Sequence, residues 1–519
     1  MMEWMILQEF EKQGVLAPLD LYYARRAAHY AGGGSEEIAA VLAATMAAAR
    51  LGHLCLYRSS LTELFPPVLV ELLERGFSAL ESERQIWQRF LHLEQDRCYL
   101  PKNWELEQNL LFHLRRLAGQ RNIAEIPNLV QLNREQQQAV ETVLRQNVTI
   151  LTGGPGTGKT FTAAAIVQAF PNAKKIVLAA FTGRAADHLK KRMIDCGIDS
   201  SKLSHAGTLH KLLGRKALRT LPEVPWIDAD LILIDESSMI DAPLFVALLA
   251  SLPEGCTLVL MGDPDQLHPV GIGSLFSALV HAQLPFAIGR AHLRHCLRVE
   301  DCPLLELASA VKLNTHCQWP LLDWPLEIQK KDEFYMRLWE FAKPFWPQPS
   351  PHVPERKELL EILSRFRILS ALRQGPLGTD ALNERLASWM RAQARPGDLW
   401  IAPIQITRND AVTGLCNGEV GLLIQAKNAE AYAIFESCEA KLPAAILPAY
   451  EYAFCTSVHK SQGSEYREVL LIIPPGSESF GKEMLYTGIT RAKKKLSIAS
   501  TPEILAQIQK NHLRKQSGF

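Results

Sequence analysis

The chain has 519 residues, 47% of them hydrophobic and 21% charged, with a formal net charge of +1 at pH 7. That length exceeds one core, which stops growing near about 250 to 300 residues, so several domains are expected. The composition excludes a disordered chain, no apolar run reaches the roughly 20 residues of a membrane helix, and the near-neutral charge leaves a locally basic nucleic-acid channel open.

The opening MMEWMILQEFEKQG has acids inside its apolar stretch and no basic leader, which reads as a cytoplasmic protein without a signal peptide. Residues 1–125 read as a helical zone, from EEIAAVLAATMAAARLGHL at 36–54 to ERQIWQRFLHLEQ at 83–95. No catalytic motif occurs there, so a partner-docking role is expected. Ten cysteines are scattered along the whole chain without a C-x-x-C pair, the pattern of reduced thiols rather than metal ligands.

From 126 to 290, apolar runs alternate with helical patterns: VTIL at 148, KIVLAA at 175, DLILID at 230 and TLVLMGD at 257. Uniformly apolar strands separated by helices predict an α/β domain with a parallel sheet covered on both faces. A second series fills 291–519, with RILSAL at 367, LWIAPI at 399, EVLLIIP at 468 and KLSIAS at 495. It is interrupted by a Pro/Trp-rich insert near 315–355, expected to be irregular, and by a small antiparallel β insertion near 420–450.

GGPGTGKT follows VTIL and precedes a helical FTAAAIVQAF. Gly153, Gly154, Pro155, Gly156, Thr157, Gly158, Lys159 and Thr160 thus make a phosphate-binding loop in its confirming strand-to-helix context. Backbone N–H groups surround phosphate oxygens, Lys159 reaches the β and γ phosphates, and the Thr160 hydroxyl is placed on Mg²⁺. ATP and Mg²⁺ are the expected cofactors. In LILIDESSM, Asp235 ends an apolar strand and would hold the metal, while Glu236 would orient and deprotonate the attacking water, which favours hydrolysis. Gln266 in MGDPDQL suits a γ-phosphate sensor. Arg491 in YTGITRAKKKLSI, far along the chain, suits a finger supplied by a second domain; Lys493, Lys494 and Lys495 read as a solvated face.

The ordered set LNREQQQAV, GGPGTGKT, FTGRAADHL, GTLHKLLG, IDESSM, GDPDQL, VHKSQGSE and YTGITRAKK resembles the superfamily 1 DNA helicases, and more closely their RecD branch. ALRQGPLGTDALNERL and PIQITRNDAVTGLCNGEVG are also similar to that branch. The resemblance implies two RecA-like P-loop NTPase domains, with the helical N-terminal domain before them and the β insertion in the second. It makes Gln136 the adenine contact, Arg298 (or its competitor Arg294) a second arginine near the phosphates, and Glu465 a ribose contact. For single-stranded and duplex DNA it implies Thr182, Arg184, Thr208 and His210 from the first domain, and His459, Lys460 and Ser461 from the second. For His210 a packed core histidine is the competing reading. The branch implies movement 5′ to 3′, which these residues alone do not fix, and RecB-like and RecC-like partner subunits in a heterotrimer for double-strand break repair and recombination. No acid-acid-lysine constellation occurs outside the ATP site, so nuclease activity is expected only from partners. A stand-alone helicase of the same type and a P-loop switch ATPase remain as alternatives; the switch would need no VHKSQGSE.

Overall fold

The computed structural model describes residues 2–32, 36–121, 132–217, 225–296, 303–410, 412–426, 430–511 and 515–519. Two parallel sheets organise it. The first has six strands in the order Leu203–Thr208, Ile176–Ala180, Leu231–Asp235, Thr257–Gly262, Val148–Gly153 and Gly289–Leu293, with every neighbouring pair parallel. Its four inner strands are apolar and almost wholly buried, because helices cover both faces. On one face Leu244, Phe245 and Leu248 pack with Ile232 and Leu258; on the other Ile166, Leu189 and Met193 pack with Leu151, Leu178 and Val259. The strand Gly289–Leu293 pairs with the phosphate-loop strand, so the first sheet runs past the domain boundary predicted at 290. The boundary predicted at 125/126 lies outside the described residues.

The second sheet has four parallel strands, Cys455–Ser457, Phe366–Ser370, Tyr466–Ile472 and Ala492–Ala499. Both sheets are the parallel, helix-covered layers of RecA-like α/β domains. One predicted member is elsewhere. Leu399–Ile406 pairs antiparallel with Val420–Ala426 and Tyr450–Tyr452, in a five-stranded antiparallel sheet with Tyr432–Phe435 and Cys438–Pro443. An apolar run on a strand buried on both faces looks the same in either sheet, and the β insertion is larger than predicted for that reason.

The Pro/Trp-rich stretch is also more ordered than expected. Helix Lys331–Ala342 contains no proline, and Phe334, Leu338 and Trp339 pack with Trp346, Phe366 and Ile368 against the second sheet. The N-terminal zone holds helices Pro18–Tyr30, Glu36–Arg50, Pro67–Trp87 and Pro101–Leu117. It also holds an unpredicted three-stranded antiparallel sheet, Cys55–Tyr57, Arg97–Tyr99 and His92–Glu94. Helix Pro101–Leu117 lies on helix Ala242–Ser251 of the first sheet domain, and Arg116 donates to the Leu249 and Leu252 carbonyls at that helix end, at 2.9 and 2.8 Å. Such a cation satisfies carbonyls that a helix C-terminus leaves open. No helix among the described residues is long and apolar enough to cross a membrane.

Candidate functional site

Three adjacent strands of the first sheet end side by side at their carboxyl ends, where α/β sheets bind ligands. Leu231–Asp235 delivers Asp235 and Glu236, Thr257–Gly262 delivers Asp263, and Val148–Gly153 delivers the glycine-rich loop. Gly156 and Gly158 have φ of +77° and +83°, left-handed backbone that keeps Cβ atoms out of the loop. Helix Lys159–Gln168 starts there, so its free N–H groups face the loop interior. The Lys159 Nζ donates to the Gly153 and Gly154 carbonyls at 2.6 and 3.1 Å. Its ammonium is therefore held at the mouth of the loop. Thr160 lies half-buried on the first turn.

Three carboxyls face this ammonium. Burial pushes Asp235 and Asp263 above the usual carboxylate range, and Lys159 opposes the shift at both. Burial, then the charge of Asp235, pushes Glu236 up to about 7, with Arg491 and Lys159 opposing. Glu236 also has φ +52°, a left-handed conformation that costs a non-glycine residue on the order of 1 to 3 kcal/mol and is concentrated at functional sites. Among the described residues no group of three or more His, Cys, Asp or Glu side chains is placed to hold a metal alone. A site of one or two carboxylates completed by substrate phosphates is the usual arrangement for Mg²⁺.

The second sheet closes the site from the other side. Arg491, 3% exposed, is aimed by three bonds of its own domain: Nε to the Thr487 carbonyl at 3.0 Å, Nη1 to the Ser464 carbonyl at 3.0 Å and Nη2 to Thr490 Oγ1 at 3.2 Å. Tyr486, on the same helix Lys482–Ile489, donates its hydroxyl to Asp263 Oδ2 at 2.9 Å. Thr487 Oγ1 accepts the Leu267 N–H at 2.8 Å, and Gln462 Nε2 donates to the Leu267 carbonyl at 3.0 Å. Leu267 itself is buried among Val458, Met484, Leu485 and Ile489 of the second domain. The loop carrying Gln266 is thus plugged into the opposite domain.

Two buried amides have unpaired atoms. Gln136 is 2% exposed and its Oε1 caps its own helix by accepting the Asn133 N–H at 3.2 Å, while Nε2 has no partner among the described residues. Gln266 is 4% exposed, with Nε2 3.4 Å from Asp263 Oδ2 and Oε1 unpartnered among the described residues. A buried polar atom left unpaired in this way can be satisfied by a ligand or by water. Of the two candidate arginines, Arg298 lies outside the described residues. Arg294 is exposed, and its backbone N–H donates to Glu135 Oε2 at 2.7 Å, beside Gln136. Glu465 is ion-paired to Lys493 at 3.3 Å, so Lys493 is more than a solvated cation.

The remaining strand ends of the first sheet carry the other candidates. Thr182 follows the strand Ile176–Ala180 and Thr208 ends the strand Leu203–Thr208; each caps the next helix, the hydroxyls accepting the Ala185 and Lys211 N–H at 3.3 and 3.2 Å. His210 stands edge-on to Phe181 at 5.3 Å on an exposed face, so it is no core residue. Arg184 reaches the second domain, donating from Nη1 to Ser464 Oγ at 3.2 Å. In the second domain Lys460 is exposed and bonded to Glu451, and His459 is half-buried near Phe480. Ser461 departs from expectation: its side chain is fully buried and donates to the Val458 carbonyl at 2.7 Å. The reading from sequence missed Asp263, Tyr486, Thr487 and Gln462. Asp263 had a signal, an acid closing the apolar run TLVLMGD as Asp235 closes LILID, and the other three lie within VHKSQGSE and YTGITRAKK, segments that were read without a role for them.

A family profile described as an AAA domain matches residues 136–272, and one described as a UvrD-like helicase C-terminal domain matches residues 452–499. Across nearly its whole length the chain is similar to the RecBCD enzyme subunit RecD of Mycobacterium tuberculosis, at 29% identity over 98% of this chain and 95% of that one. It is 27% identical to the ATP-dependent RecD2 DNA helicase of Deinococcus radiodurans over 78% of this chain and 55% of that one. A solved Pif1 helicase from Candida albicans aligns with a TM-score of 0.43 at 16% identity, over 73% of this chain and 96% of that one.

Proposed function

We infer that this chain is a superfamily 1 helicase of the RecD branch, and we propose that it hydrolyses ATP to move 5′ to 3′ along single-stranded DNA and unwind duplex. In this reading it works in the cytoplasm with RecB-like and RecC-like subunits, in double-strand break repair and homologous recombination. The observation that carries the proposal is the split site. The phosphate loop and hydrolytic acids stand on one parallel sheet, while Arg491, close enough to shift Glu236, is delivered by the other. A site completed only when two domains meet converts phosphate chemistry into domain movement.

The residues take these roles. Gln136 Nε2, a buried donor without a partner among the described residues, suits a ring nitrogen of adenine, with Arg294 beside it on Glu135 and Glu465 proposed for the ribose. Lys159 exchanges the Gly153 and Gly154 carbonyls for phosphate oxygens. Asp235, with Thr160, would hold Mg²⁺, and three buried carboxyls against two cations leave a deficit of positive charge that a divalent ion fits. That ion supplies charge neutralisation on the phosphates. Glu236 accepts the proton of the attacking water, Gln266 Oε1 accepts its second hydrogen, and Arg491 stabilises charge on the transferred phosphoryl group. Thr182, Arg184, Thr208, His210, His459 and Lys460 are open to a passing strand; Ser461 contributes by fixing the turn from below.

A single-subunit helicase of the RecD2 type is a weaker reading, because the similarity to the Deinococcus protein covers 78% of this chain against 98% for the mycobacterial subunit. The test is ATP hydrolysis by the purified chain with and without single-stranded DNA, beside Lys159→Gln. Stimulation by DNA that Lys159→Gln abolishes is expected. Hydrolysis indifferent to DNA would favour the switch ATPase.

A further inference from the structure

Residues 515–519 (KQSGF) lie in a groove between the N-terminal zone and the first domain, and every one of the five is engaged there. The Lys515 Nζ donates to the Pro269 and Gly271 carbonyls at 2.5 and 2.7 Å, in the loop that follows Gln266. The Gln516 main chain accepts the Leu54 N–H at 2.9 Å and donates to His53 Nδ1 at 3.0 Å, while its Oε1 accepts the Tyr57 N–H at 3.1 Å. The Ser517 carbonyl accepts the Tyr57 hydroxyl at 2.9 Å. Gly518 is held on both sides: its N–H donates to Glu107 Oε2 at 2.9 Å, and its carbonyl accepts from Arg97. Phe519 packs on the apolar cluster of Leu54, Leu106 and Leu110.

The groove reads its occupant closely. A Cβ at position 518 would collide with the Glu107 carboxylate and the Tyr99 hydroxyl. Those two groups are bonded to each other at 3.0 Å and are buried, so neither swings aside. Just upstream, helix Pro502–Lys510 packs into the core of the second domain through Ile504, Leu505 and Ile508. Asn511 fastens the end of that helix: its carbonyl accepts the Lys482 N–H at 2.9 Å and its Nδ2 donates to the Glu478 carbonyl at 2.7 Å. Asn511 is thus fixed to one domain and Lys515, four positions later, to the other. A chain of that length spans at most about 14 Å. We propose that this groove is a recognition site for residues 515–519 of this chain, and that the seated segment is a strap limiting how far the ATP cleft opens. The proposal rests on the two-domain ATPase reading above. Nucleotide exchange requires the domains to part, and a short strap holds the parted domains at high effective concentration, ready to close on the next ATP.

The test uses two variants of the full chain, read by steady-state ATP hydrolysis and by hydrogen exchange at the Leu54 and Tyr57 amides, which Gln516 covers. In the first, about ten Gly/Ser residues inserted after Asn511 lengthen the strap without touching its contacts. Effective concentration falls roughly as the −3/2 power of linker length, so this insertion is expected to raise KM for ATP roughly three- to six-fold at unchanged kcat. In the second, Gly518→Leu blocks seating; it is expected to expose both amides to exchange and to raise KM at least as far. A KM unmoved by the insertion, in a chain that hydrolyses ATP, would overturn the strap and leave the motor intact. Amides still protected in Gly518→Leu would overturn the groove. Absence of ATP hydrolysis by the unsubstituted chain would overturn the motor reading and the strap together.

Discussion

Glu236 combines a left-handed backbone with a carboxyl pushed up to about 7 by burial and Asp235. Both features cost free energy and are of the kind concentrated at functional sites, which fits the proposed role of Glu236 as base toward the attacking water. Glu236→Gln keeps shape and burial but removes the base. It should retain ATP binding and lose about 10²- to 10⁴-fold in kcat, the usual worth of a general base; steady-state hydrolysis beside nucleotide binding checks this, and hydrolysis near the unsubstituted rate would remove Glu236 from the mechanism. At this scale the sequence was informative wherever a residue type is rare in its setting, as with a lysine after a glycine loop or an acid closing an apolar strand. It was silent on Tyr486 and Thr487, because a tyrosine and a threonine in an amphipathic helix look like packing until the fold shows what they reach. It did not show that the Ser461 hydroxyl turns inward to its own turn.

The element joining the two sheets is the loop after strand Thr257–Gly262. Leu267 anchors it in the second-domain core, and Thr487, Gln462 and Tyr486 bond it at 2.8, 3.0 and 2.9 Å. Thr487→Val preserves volume but leaves the buried Leu267 N–H unpaired, a cost of about 1 to 3 kcal/mol. Since 1.4 kcal/mol is tenfold, DNA-stimulated hydrolysis should fall roughly five-fold or more. An unchanged stimulation would show that the loop does not carry the coupling. Inner strands of the first sheet were legible as apolar runs, whereas its two edges were not. Leu203–Thr208 (LSHAGT) and Gly289–Leu293 (GRAHL) are partly exposed and carry polar residues, so neither shows the unbroken apolar run of a doubly covered strand.

At the scale of the molecule, the C-terminal residues return to the N-terminal zone and the first domain. Leu54 N–H donates to the Gln516 carbonyl at 2.9 Å, Gln516 N–H donates to His53 Nδ1 at 3.0 Å, and Lys515 donates to the Gly271 carbonyl at 2.7 Å. Burial, then the Lys515 ammonium, lowers His53 from 6.5 to about 4, which keeps Nδ1 an acceptor. A folded value below the unfolded one means that the unfolded chain binds the extra proton first. The contribution of neutral His53, on the order of 3 kcal/mol, is complete above pH 6.5 and lost as pH falls through about 4. Thermal melts across that range should show a steeper acid loss for the unsubstituted chain than for His53→Gln, which keeps an acceptor without a titrating proton; parallel curves would contradict this anchoring. Such a return was invisible in the sequence, since it pairs positions separated by 463 residues. The two-sheet architecture was legible, because two series of apolar strands flanked by helices admit few other arrangements.

Phosphate held at Gly153–Thr160 is proposed to drive movement along DNA. Strand displacement by the purified chain with ATP and Mg²⁺, on duplexes differing only in a 5′ or a 3′ single-stranded tail, tests this most directly. Unwinding from the 5′ tail alone, absent in Lys159→Gln, is the predicted result; unwinding from the 3′ tail alone, or displacement that survives Lys159→Gln, would contradict it.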